Sequence, residues 1–252
     1  MQAPKDSLVR ARTETLGLRA ADDSTKMPTL HGYFTPFDEW SEIDSAYEGH
    51  FMERTVKGAF TRTIKNNRDS IKVLFNHGHD VVGEQVLGPI KTLREDDQGP
   101  FYEVPLLDTS YNRDLIPGLE AGLYGASYRF RVIKEEWNDA PERSDHNPNA
   151  IPERTITENQ LYEFGPVTFP AFEGASAGVR SLTDDYMIER LLSNPVALAR
   201  LVERVPEFRT AGEPALSTSP VVENTPDPLA HSGSHGEKRN RDLALRFLSQ
   251  IG

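Results

Sequence analysis

The sequence contains no cysteine. That single absence excludes a disulfide scaffold, thiolate zinc sites and a cysteine nucleophile, so covalent catalysis by this chain would rest on Ser, Thr, Lys or a carboxylate. Long apolar runs are also missing. No stretch approaches the roughly 20 residues that span a bilayer, and the opening MQAPKDSLVRARTE lacks the apolar run of a signal peptide. Positive charge is scarce: 28 Lys and Arg stand against 39 Asp and Glu, a net charge of −11 over 252 residues. Such a balance repels nucleic acid and anionic membranes, and neither is expected as a partner. The expectation is a soluble protein used in a reducing compartment.

The charge is unevenly placed. Residues 1–27 carry five basic and four acidic side chains, and residues 206–252 carry five and six. These imbalances cancel, so the segment between them bears the whole deficit. Residues 1–27 show scattered Leu without a sustained period and read as a mobile N-terminal arm. Val56, Phe60 and Ile64 recur at helical spacing. IKVLF at 71–75 reads as a strand entering a tight Asn76-His77-Gly78 loop. FYEVPLL at 101–107 reads as a strand, with Pro105 favouring an edge position. The segment 108–124 mixes a helical pattern with glycines. From Gly125 the chain alternates, with Ala126, Tyr128, Phe130 and Val132 on one face and Ser127, Arg129 and Arg131 on the other.

Residues 137–155 are polar and contain three prolines, the signature of a long surface loop. A strand at 161–169 then places Glu163 among Leu161, Gly165, Val167 and Phe169, unusual company for a carboxylate, which is costly to bury without a partner. A helical extension is predicted over 184–205, divided by Asn194-Pro195. Residues 206–236, with five prolines, read as a disordered linker. Residues 237–252 read as an amphipathic C-terminal docking helix with Ala244, Phe247, Leu248 and Ile251 on one face.

Three polar residues thus lie at or beside core strands: His77, Ser127 and Glu163. A serine needs an adjacent base to become a nucleophile, and the base needs a third group to fix its tautomer. Spacing alone leaves open whether the three meet. The strings EGHFMERTVKGAF, VLFNHGHDVVGEQVLGPI, LEAGLYGASYRFRV and LYEFGPVTFPAFEGASAGVRSL, in this order, resemble the prohead proteases of tailed phages with HK97-like capsids. The resemblance covers roughly residues 28–183.

It implies an α+β fold: a small bent β-barrel, similar to that of the herpesvirus assemblins, with flanking helices. It implies a serine endopeptidase without cofactor, in which Ser127 is the nucleophile, His77 the general base and then acid, and Glu163 the residue orienting His77. The implied partners are the major capsid protein with its scaffolding segment, and the chain itself through autocleavage in its arms, a dimer or larger oligomer being left open. The implied location is the host bacterial cytoplasm, inside the assembling prohead. Backbone amides near Gly125 or within 83–88 are the candidate oxyanion donors, and Arg129, on the face of Ser127, contributes only indirectly.

Two other readings compete. His77 and His79 have the H-x-H spacing of zinc ligands, but Val81 and Val82 stand where a binuclear hydrolase motif wants Asp and His. A non-catalytic capsid assembly factor would use the same fold, or the tail alone, to bind capsid subunits.

Overall fold

The computed structural model describes residues 3–12, 16–21, 26–78, 85–168 and 180–192, together with 194, 196, 198 and 199. The predicted linker and docking helix lie outside the described residues, as does most of 193–205.

The chain folds as mixed α+β around two sheets. The larger is built from β1 (Leu8–Arg12), β4 (Ser41–Ser45), β5 (Gly49–Thr55), β6 (Lys72–Val73), β9 (Gly125–Asn138), β10 (Glu153–Val167) and β11 (Arg180–Ser181). Its order is β11-β1-β9-β10-β5-β4, with β6 added to β10 beyond that path. The smaller sheet runs β2 (Gly17–Arg19), β3 (Thr29–Tyr33), β8 (Pro100–Pro105), β7 (Thr92–Glu95). Helices α1 (Thr61–Asn67), α2 (Ser110–Glu120) and α3 (Thr183–Leu192) complete the described fold.

The alternation read from the sequence holds along β9. Ala126, Tyr128, Phe130 and Val132 point into the main core, where Phe34 stacks on Phe164 at 5.1 Å and meets Tyr128 at the same centroid distance. Long antiparallel pairing between β9 and β10 shortens the expected 137–155 loop to residues 139–152.

Backbone pairing among the described residues does not close the larger sheet into a barrel. Its two ends nevertheless approach each other. Asp184, on α3 just beyond β11, accepts hydrogen bonds from Ser45 Oγ (2.7 Å) and the backbone amide of Ala46 (2.8 Å) at the end of β4. Ser181 Oγ of β11 donates to Glu48 in the β4–β5 turn at 2.7 Å.

Inside this curl lies a buried ionic cluster. Arg10 of β1 bonds Glu48 and Glu53, each at 2.7 Å, and Arg154 of β10 bonds Glu135 at 2.7 Å and Glu53 at 3.3 Å. Burial pushes Glu48 up, but the charge and hydrogen bonds of Arg10, with help from Ser181 and Thr183, outweigh it and hold the carboxyl below its ordinary range. Glu135 is likewise held low, burial being outweighed by Lys5 and Arg154.

Three expectations are corrected. The described part of 1–27 is not a free arm: β1 is buried throughout and pairs with β9 on one side and β11 on the other. A five-residue strand, LVRAR, is too short to show a period, and its two arginines are buried rather than exposed, Arg10 through ion pairs. The strand with Pro105 is not an edge, because β8 pairs with both β3 and β7. Pro105 is tolerated as the last strand residue, where the ladder to β7 has already ended at Glu103. Val56 belongs to no helix; its amide bonds Ile156 O, and α1 starts at Thr61.

Candidate active site

β9 presents Ser127 on the face opposite the core, and the register places it directly across from Gly165 of β10. Two residues further along β9, Arg129 is paired with Glu163. His77 arrives from a third direction. β6 runs parallel to β10, pairing Val73 with Phe164, and Leu74 N continues the contact by donating to Phe164 O at 3.1 Å.

Gly165 makes this approach possible. A Cβ there would lie 1.9 Å from Leu74 O, a distance no side chain tolerates. After Phe75 the backbone turns sharply, with Asn76 at φ 45° and His77 at φ 57°, both left-handed. Asn adopts that conformation readily, whereas for His77 it costs about 1–3 kcal/mol, strain of the kind that collects at functional sites. Asn76 is tied to the end of β10 in both directions: its Nδ2 donates to Thr168 Oγ1 at 3.2 Å, and Thr168 N donates to its Oδ1 at 2.9 Å.

The three residues singled out from the sequence come together. His77 Nδ1 lies 2.7 Å from Glu163 Oε1, and His77 Nε2 lies 2.8 Å from Ser127 Oγ. With the Nδ1 proton donated to the carboxylate, Nε2 is left as acceptor for the serine hydroxyl, the tautomer a general base requires. Ser127 Oγ also has a second acceptor, Arg10 O of β1 at 2.9 Å.

The site is enclosed. Ser127 has no exposed surface, and the side chains of His77 and Glu163 are 8% and 3% exposed. Tyr186 of α3 packs edge-on against the His77 ring at 6.2 Å. Glu163 Oε2 is buried with no partner among the described residues, so the carboxylate is oriented through Oε1 alone.

Sequence reasoning missed β1 and Tyr186. β1 acts through a backbone carbonyl, which carries no residue signature. Tyr186 is the single aromatic residue of α3, TDDYMIERLL, and a lone aromatic gives no sign of its neighbours. Arg129 was placed on the correct face, though its partner was not foreseen. Among the described residues no group of three or more His, Asp or Glu could hold a metal. His79, the second residue of the zinc alternative, lies outside the described residues, as do positions 83 and 84 of the oxyanion candidates.

A model of the caudovirus prohead serine proteases matches residues 14–187 of the chain. Among solved structures, the bacteriophage T4 capsid assembly protease is similar, with 11% sequence identity and a TM-score of 0.43 over 65% of this chain and 98% of that one. No curated protein matches.

Proposed function

The chain belongs to the caudovirus prohead serine protease family, and from that premise we propose that it is an endopeptidase cutting the scaffolding segment of the major capsid protein, and its own chain, inside the assembling prohead of the infected host. The observation that carries the reading is the unbroken line Glu163 Oε1, His77 Nδ1, His77 Nε2, Ser127 Oγ, with spacings of 2.7 and 2.8 Å.

In this mechanism His77 takes the hydroxyl proton as Ser127 Oγ attacks the peptide carbonyl. Glu163 holds the imidazole in the required tautomer and stabilises the imidazolium that forms. His77 then gives the proton to the leaving amine, and water, activated by the same base, releases the acyl group. Ser127 is covered, so catalysis proceeds from a conformation in which the covering groups have moved, and that opening enters every observed rate. The approach of β4 to β11 supports reading the larger sheet as a bent barrel of the assemblin type.

For self-cleavage, the Pro-rich segment 206–236 is the better candidate of the two arms. Cutting near residues 8–12 would require β1 to leave two ladders and a buried ionic cluster. Until that cut, the amphipathic residues 237–252 serve to dock the enzyme on a capsid or scaffold partner, and the cut releases it.

The test is co-expression with the cognate capsid protein. The chain as it stands shortens the capsid protein, whereas Ser127→Ala leaves it full length, a loss of about 10⁴–10⁶ in turnover if the three residues act as a unit. Equal capsid-protein length in both cultures would favour the non-catalytic assembly factor instead.

A further inference from the structure

Arg129 has no part in the acyl transfer just described, yet three contacts fix it beside the reacting groups. Its Nε donates to Glu163 Oε1 at 3.3 Å, the same oxygen that receives His77 Nδ1. Its guanidinium carbon lies 4.9 Å from the ring centre of Tyr162 and 5.5 Å from that of Tyr186. The cation therefore lies over two aromatic rings from different elements, one of which also abuts His77.

A carboxylate as buried as Glu163 is unfavourable unless its charge is compensated. As the base of the proposed mechanism, His77 offers Glu163 a hydrogen bond without a charge, and among the described residues Arg129 is the only Lys or Arg bonded to Glu163. With Oε2 unpartnered, the direction of the carboxylate depends on what holds Oε1.

We infer that Arg129 is a positioning residue of the Ser127–His77–Glu163 array: it compensates the buried Glu163 charge and keeps Oε1 in line with His77 Nδ1, while Tyr162 and Tyr186 fix its own plane. This rests on the proposed protease reading. A planar guanidinium can lie against aromatic rings and at the same time donate from Nε, which an ammonium group cannot reproduce. The Arg129 side chain is 23% exposed, so a guanidinium ion from solution can enter the space left by its removal.

The test uses the full-length protein and an alkyl fluorophosphonate. Ser127 Oγ attacks phosphorus, fluoride leaves, and the hydroxyl proton passes to His77, so the reaction reports on the array without a peptide substrate. The maximal rate of inactivation and the half-saturating probe concentration are measured for the unaltered chain, Arg129→Ala and Arg129→Lys, with melting temperatures alongside.

For Arg129→Ala we expect the maximal rate to fall about 10- to 100-fold, the loss that follows when a catalytic side chain drifts by up to about 1 Å. Half-saturation should stay within about twofold, because probe binding is not what the arginine serves. Guanidinium at about 50 mM, far below denaturing concentrations, should restore several-fold of the lost rate in Arg129→Ala and none in the unaltered chain. Arg129→Lys should be intermediate.

An Arg129→Ala rate equal to that of the unaltered chain would overturn the inference. So would a lowered rate that tracks a lowered melting temperature and ignores guanidinium, the behaviour of a purely structural arginine. If the unaltered chain itself is not labelled, the protease reading fails first and takes this inference with it.

Discussion

Replacing Gly165 by Ala tests whether the close approach of β6 to β10 is what sets His77 in place. The added Cβ would sit 1.9 Å from Leu74 O and 2.9 Å from Leu74 C, where ordinary contact begins at 3.4 Å. Leu74 must then retreat by roughly 3.4 − 1.9 = 1.5 Å, or the two strands must part, because a close-packed interior has no slack at that point. Leu74 precedes His77 by three residues. Even half of the shift, passed along that turn, stretches the 2.8 Å contact between His77 and Ser127 to about 3.5 Å, the limit of a hydrogen bond.

A misplacement of about 1 Å commonly costs about 10² in rate, and overpacking costs about 1–3 kcal/mol of stability. At about 2–4 °C per kcal/mol for a domain of this size, the melting temperature should fall by about 2–12 °C. The assay is fluorophosphonate labelling of Ser127 at a temperature where the variant remains folded. Gly58→Ala is the control: Gly58 has a positive φ of 99° and nothing within 4 Å of the Cβ that alanine would add, so it should lose stability while labelling at the unaltered rate. If Gly165→Ala labels within about threefold of the unaltered chain, the reasoning that this glycine positions His77 is refuted.

The buried cluster predicts how stability responds to acid. Glu48 and Glu135 are held below the ordinary glutamate value of 4.5, so near that pH the unfolded chain binds more protons than the folded one. Their contribution is complete above about pH 4.5 and is lost as pH falls through the depressed folded values; chemical denaturation across pH 3–7 should show this slope. Glu48→Gln should flatten it and cost about 3 kcal/mol at neutral pH, the low end for a broken buried pair because Arg10 keeps Glu53; an unchanged slope would count against the cluster as its source. Asn147 organises the loop between β9 and β10: its Nδ2 donates to Ile151 O at 2.7 Å and Glu153 Oε1 at 3.0 Å, and Ile151 N donates to its Oδ1 at 3.0 Å. Asn147→Ala should open residues 139–152 to limited proteolysis with labelling of Ser127 unchanged. Equal protease resistance would show that the loop is held by other contacts, such as the stacking of His146 on Trp40.

Much of the site was legible because side-chain chemistry marks it. A serine on the polar face of an alternating strand, a carboxylate on an apolar one and a histidine after a short strand each conflict with their surroundings, and conflicts of that kind point to function. The resemblance supplied their pairing; His77 lies 2.7 Å from Glu163 and 2.8 Å from Ser127. What escaped was carried by features that leave little trace in a sequence. The Arg10 carbonyl is a backbone atom. Burial of Arg10 depends on Glu48 and Glu53, 38 and 43 residues away, so LVRAR reads as polar until the ion pairs are seen. Pro105 was misread because local rules describe a strand's preference and not how many neighbours the topology gives it. Gly165 was visible as a glycine in a strand, a common mark of close approach, but only the fold shows that Leu74 is what approaches.

The most direct test of the central claim is the site of covalent modification. After reaction with a fluorophosphonate, peptide mass spectrometry should find one adduct, on Ser127. It should disappear in Ser127→Ala, and its formation should slow by about 10³-fold or more in His77→Ala, which removes the base while leaving the nucleophile. An adduct on another residue, or equal labelling of Ser127 with and without His77, would contradict the account.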